Sequence, residues 1–146
     1  MVISHPQLFF RCAGGNSCYF DCITTLASRV NGVPLTAETV GRAVDTAVDS
    51  GAVKFDWNDY SNPGNFTVAD PARLLYLLTG RRYEVTWQPG NYVAAKDELE
   101  VDFWALSAAD GDKGKGHFCL PDYDPLGESN TRRNGYIHSK RIFRKV

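Results

Sequence analysis

Four cysteines and three histidines carry the nucleophilic and basic chemistry of this 146-residue chain, and their placement is uneven. Cys12, Cys18 and Cys22 fall within eleven positions, whereas Cys119 stands apart, two residues after His117. Cys18 follows Ala13-Gly14-Gly15-Asn16-Ser17, a glycine-bearing turn that ends in a good N-cap residue. A cysteine in the first turn of a helix meets unpaired backbone N–H groups and the positive end of the macrodipole, and both favour thiolate. A thiolate nucleophile still needs a base, usually histidine. His5 adjoins Pro6 near the N-terminus, and His138 lies in a basic C-terminal stretch. His117 opens a β-rich run after a glycine-rich turn, which makes it the better partner.

The third group follows from hairpin parity. Leu120, Pro121 and Asp122 read as the turn that joins His117-Phe118-Cys119 to Tyr123-Asp124. A two-residue loop at Leu120-Pro121 sets His117 opposite Asp124; a loop at Pro121-Asp122 makes them diagonal neighbours on one sheet face. Asp124 is therefore the expected orienting carboxylate, and Asp122 takes its place if the hairpin tip is wider. Cys22, one helical turn beyond Cys18, is the alternative nucleophile. Cys12 and Cys119 read as core, with Cys119 on the same sheet face as His117.

The elements that must position these groups divide the chain into helices first and strands after. Tyr19, Phe20, Ile23, Leu26, Ala27 and Val30 recur at helical spacing and stop before Gly32, which predicts a helix over 18–30. A second helix opens at Thr36, with Leu35 as its staple and Val40, Ala43, Val44, Ala47 and Val48 as its buried stripe. Residues 50–68 read as a long surface loop; its Asn58–Asn65 part, with Tyr60 and Phe66, could wall a cleft. The third helix has Asp70 as cap, Pro71 at its first position and Gly80 as its stop. Strands are predicted over 82–87, 101–106 and 117–120, with one or two more between Tyr136 and Phe143. Asp110 to Gly116 reads as a flexible turn. The expected class is α+β, in a single domain covering residues 1–146.

Composition narrows the function. The 16 Lys and Arg nearly cancel 17 Asp and Glu, so no overall positive field draws nucleic acid. The C-terminal basic residues Arg132, Arg133, Lys140, Arg141, Arg144 and Lys145 read as the solvated face of an edge strand. No apolar run approaches the roughly 20 residues needed to span a bilayer. The Met1–Gln7 stretch lacks the basic and apolar regions of an export signal, so a cytoplasmic protein with reduced thiols is expected. Gly111, Gly114 and Gly116 precede a strand rather than a helix, so they form no phosphate loop and imply no nucleotide cofactor.

Gly15-Asn16-Ser17-Cys18-Tyr19-Phe20 resembles the nucleophile turn of papain-like cysteine peptidases, especially small viral leader proteinases and bacteriocin-leader-type peptidases. Gly116-His117-Phe118, followed by Tyr123-Asp124-Pro125-Leu126-Gly127, is similar to their histidine strand and the Asp-Pro segment after it. The order of a cysteine-bearing helix, further helices and then a sheet carrying histidine is also theirs. The resemblance implies a monomeric thiol protease, viral or phage-encoded, that cleaves a viral polyprotein or a host protein through a Cys18–His117–Asp124 triad. Such peptidases carry Gln or Asn five or six positions before the cysteine, where this chain has Cys12 and Ala13. Asn16 then serves the oxyanion with the Cys18 backbone N–H, or turn amides act alone. Counted from Asn16 the six-residue interval ends at Cys22, whereas Cys18 leaves about three helical turns before Gly32.

Two other readings compete. An acyltransferase or amidase would keep the same triad and differ only in substrate. A non-catalytic module, host-protein-binding or zinc-stabilised, would lack a reactive thiolate; the zinc-stabilised form would draw its ligands from Cys12, Cys18, Cys22, His117 and Cys119, though their spacing lacks a Cys-x2-Cys knuckle.

Overall fold

A computed structural model describes residues 18–32, 34, 36–55 and 66–146. The chain divides into two compact units, Met1–Arg82 and Tyr83–Val146. The class is α+β, with the helices N-terminal and an antiparallel sheet C-terminal.

In the first unit, helix α1 spans Cys18–Asn31, α2 spans Ala37–Ser50 and α3 spans Pro71–Thr79. Phe20, Cys22, Ile23, Leu26 and Ala27 form the buried stripe of α1, and Leu74 and Leu75 that of α3. Each large apolar side chain fully removed from water contributes roughly 1.5–3 kcal/mol, which outweighs helix propensity in holding such short helices. Ala43, Val44 and Ala47 are the buried residues of α2, while Val40 and Val48 are half-buried. Thr36 caps α2 reciprocally: its hydroxyl accepts from the Thr39 N–H, and its own N–H donates to Thr39 Oγ1. Leu35, its expected staple, lies outside the described residues. Asp70 accepts from the Arg73 N–H at 3.0 Å to cap α3, and Gly80 ends it at φ +73°. The expected long loop after α2 contains a ladder instead: β1 (Val53–Phe55) pairs antiparallel with β2 (Phe66–Val68). Three-residue strands offer too little alternation to show in sequence.

The second unit is a four-stranded antiparallel sheet of β3 (Tyr83–Pro89), β4 (Leu99–Ala105), β5 (His117–Cys119) and β6 (Tyr136–Lys145), in the order β3-β6-β4-β5. Two five-residue helices interrupt it, α4 (Ala108–Asp112) and α5 (Asn130–Asn134). The first occupies part of the stretch expected to be a flexible turn, nucleated by Ser107, whose hydroxyl accepts from the Asp110 N–H. The basic strand β6 lies inside the sheet, which overturns its reading as an edge. Its cations are instead engaged locally: Lys140 contacts Glu100 at 3.3 Å, and Arg144 contacts Glu98 at 2.9 Å. A register shift between Phe103 and Trp104 marks a bulge where β4 meets β6.

Pairing fixes the two faces of this sheet. Trp104 pairs with His117 and Asp102 with Cys119, so these four share one face. Phe103 pairs with Phe118 on the other, where Trp87 and Arg141 are also partners.

Candidate active site

The second unit builds a buried histidine–aspartate pair. Gly116 lets β5 approach β4 closely, because a Cβ there would run into the Trp104 carbonyl and come within 2.6 Å of Phe103 Cζ. His117 opens β5 directly after it. Leu120 and Tyr123 then bridge antiparallel through two hydrogen bonds, 2.8 and 3.2 Å long. The hairpin loop is therefore Pro121-Asp122, and Asp124 comes to lie diagonally from His117. Asp122 is exposed at the tip.

His117 Nε2 and Asp124 Oδ1 are 2.6 Å apart, with the two side chains 7% and 3% exposed. Asp124 is also tied to its own loop. Its Oδ1 accepts from the Leu126 N–H at 2.9 Å, and its Oδ2 from the Ser129 N–H at 3.2 Å and the Ser129 hydroxyl at 2.7 Å. Burial raises the affinity of this carboxyl for its proton. The hydrogen bonds from His117, Ser129 and Leu126 outweigh burial and bring its pKa down to about 2. Asp124 is thus an anion at neutral pH and accepts only, so Nε2 must donate. The neutral imidazole then carries its lone pair on Nδ1, which is the ring nitrogen able to take a proton from a thiol.

Ser129 had no part in the sequence-based triad, yet it fixes Asp124. It is the N-cap of α5, its hydroxyl accepting from the Arg132 N–H at 3.3 Å. Arg132 donates to the Pro121 carbonyl at 3.0 Å and lies over the Trp104 ring, 6.0 Å from its centroid. One short helix thereby locks the far side of the hairpin. The signal was present as Ser129 before a polar helical turn, but nothing local joined it to Asp124.

Two further buried polar groups share the His117 face. The Asp102 carboxyl is pushed up to about 8 by burial and the neighbouring Glu100 carboxyl, against the pull of Lys140 and Arg132. Asp102 Oδ1 and Trp104 Nε1 have no hydrogen-bond partner among the described residues.

In the first unit, Cys18 is the first residue of α1, and it is half-buried. Cys22, one turn later, is fully buried in the helix stripe. A nucleophile must be reachable, so this difference favours Cys18. Cys12, Asn16 and Ser17 lie outside the described residues, as do His5 and residues 58–65.

Metal chemistry has one candidate among the described residues: ligand atoms of His117, Cys119 and Asp124 lie within 4.8 Å of one another. Cys119 thus joins a possible donor set, but Cys18 and Cys22 are not members of it. The 2.6 Å His117–Asp124 separation is a hydrogen bond. It is shorter than the roughly 3.3 Å that two zinc bonds of about 2.0 Å impose at a tetrahedral angle. No helix among the described residues is long and apolar enough to cross a membrane. Comparison with protein-family models, with curated proteins and with solved structures returns no match to this chain.

Proposed function

We propose that this chain is a papain-like cysteine hydrolase that cleaves peptide bonds. The observation that carries the reading is the buried His117–Asp124 pair, whose carboxylate is ionised and held by Leu126 and Ser129. Support comes also from the half-buried Cys18 at the start of α1. In this reading the Cys18 thiolate attacks the scissile carbonyl carbon, and His117, holding the thiol proton, passes it to the leaving amine. A water molecule, deprotonated by His117, then hydrolyses the thioester. Asp124 holds the imidazole with Nδ1 as its basic nitrogen and stabilises the imidazolium that forms. Asn16 and the Cys18 backbone N–H are the proposed oxyanion donors. The substrate class is a polypeptide, and a thiolate nucleophile suits a reducing compartment such as the cytoplasm.

Labelling by a limiting thiol electrophile, read by intact mass from about pH 4 to about pH 9, tests this directly. The expected result is selective modification of Cys18 well below the free-thiol pKa of about 8.5, lost in His117→Ala. Equal, slow labelling of every cysteine, unchanged in His117→Ala, rejects the proposal.

A further inference from the structure

The second unit has a cleft of about 460 Å³ on the sheet face opposite His117. Strand alternation makes the separation strict, because His117 and Phe118 are consecutive on β5 and point to opposite sides. Its volume is in the range of small-molecule sites. The floor is the Phe103–Phe118 pair, with ring centroids 4.7 Å apart. Arg141 lies across both rings, its guanidinium carbon 5.7 and 5.6 Å from their centroids. One wall is His138, seated against Gly111, where any Cβ would collide with the imidazole. The other is Trp87, the cross-strand partner of Arg141, which leaves 58% of its surface in water.

That juxtaposition selects a ligand. Trp87, in an edge contact with His138 at 6.4 Å, keeps most of its surface in water. It stands beside a guanidinium that lies over two aromatic rings and donates to Ser139 Oγ at 2.9 Å, and stacking plus charge favours a planar group bearing an anion. The His138 end repels that anion, because Asp112 is hydrogen-bonded to His138 Nε2 at 2.9 Å and keeps its carboxylate at the rim. The anion therefore belongs at the Arg141 end. An exposed tryptophan on an edge strand is also a liability for association, which a stacked ligand would relieve.

We propose that this cleft is a second, small-molecule site for a planar ring carrying an anionic group, with the ring on Trp87 and the anion at Arg141. A nucleoside monophosphate and an aromatic carboxylate share this chemistry. The site is independent of Cys18 chemistry.

Calorimetric titration of the full chain with adenosine monophosphate, indole-3-acetate and inorganic phosphate tests it. Saturable binding by either ring-bearing probe is expected, with phosphate alone at least about tenfold weaker. Preference between the two ring-bearing probes tells a nucleotide site from an aromatic-carboxylate site, and either preference supports the proposal. Trp87→Ala and Arg141→Gln should each weaken binding at least about tenfold, whereas Trp87→Phe keeps it within about threefold. His117→Ala should bind as the wild type does. The proposal is overturned by no binding of either ring-bearing probe below about 5 mM. It is equally overturned by phosphate binding as well as they do, by indifference to Trp87→Ala, or by loss of binding in His117→Ala.

Discussion

The second unit contains two histidine–aspartate pairs that look alike by distance and differ in everything else. His117–Asp124 is 2.6 Å long with both side chains nearly inaccessible; His138–Asp112 is 2.9 Å long, but Asp112 is 75% exposed. Asp124 is held at both oxygens by Leu126 and Ser129, whereas Asp112 ends a five-residue helix beside solvent. The imidazoles differ as well. His138 has Asp112 on Nε2 and Ser139 Oγ on Nδ1, so both nitrogens are engaged. His117 uses Nε2 for Asp124, which leaves the lone pair of its neutral ring on Nδ1. An orienting carboxylate is made by its other hydrogen bonds: they keep it ionised and still, and the distance to histidine alone does neither.

The largest effect that separates the pairs is on Cys18 reactivity. With rates of electrophile labelling compared near pH 6, His117→Ala is expected to lower the rate by about 10²–10⁴-fold and His138→Ala by no more than about twofold. Losses of similar size in both variants would break the contrast.

Next comes stability. Asp124→Ala removes the acceptor of four hydrogen bonds and leaves the His117 donor buried and the half-buried Ser129 donors without their acceptor, at an expected cost of about 3 kcal/mol in urea unfolding. A cost below about 1 kcal/mol would mean that the loop holds without its carboxylate.

Much of this site was legible because its geometry is local. Hairpin parity joined His117 to Asp124 across seven residues, and the loop at Pro121-Asp122 is one of the two registers that parity allowed. The Asp70, Pro71 and Gly80 signals placed α3 for the same reason: caps act on neighbours. What stayed hidden depends on partners distant in sequence. The basic residues of β6 looked like an edge strand because nothing local reveals that β3 and β4 flank it. The raised proton affinity of Asp102 follows from burial and from Glu100 on the same sheet face, a placement that exists only once β4 is seated between β6 and β5. Ser129 is intermediate, since its cap was readable but its bond to Asp124 closes a loop whose shape the residue types do not dictate. The Asn16 and Ser17 assignments fall outside the described residues.

A smaller effect sharpens the comparison through pH. Asp124 is lowered from 3.8 to about 2, so its contribution is present above the unfolded value and is lost as pH falls through the folded one. The window runs from about pH 4 down to about pH 2, and the stability lost across it is about 2 kcal/mol. Wild type should therefore weaken more steeply than Asp124→Asn in urea titrations through that window. Parallel curves for wild type and Asp124→Asn would show that the hydrogen bonds to Asp124 do not discriminate its charged form.

The smallest effect is the sharpest test of the contrast, because it falls where a naive reading of distances expects a large one. Asp112→Ala removes a 2.9 Å partner of a mostly buried histidine, yet the expected change in stability is within about 0.5 kcal/mol. The carboxylate is solvated already, so little desolvation was invested in it. Its removal exposes Nε2 at the same rim where water can replace it. The ring itself is seated by Gly111 behind it and by Ser139 at Nδ1, and neither contact needs Asp112. A loss above about 1.5 kcal/mol would mean that His138 is held by its carboxylate much as His117 is. Exposure of the aspartate would then no longer separate a bond that orients a ring from one that merely meets it.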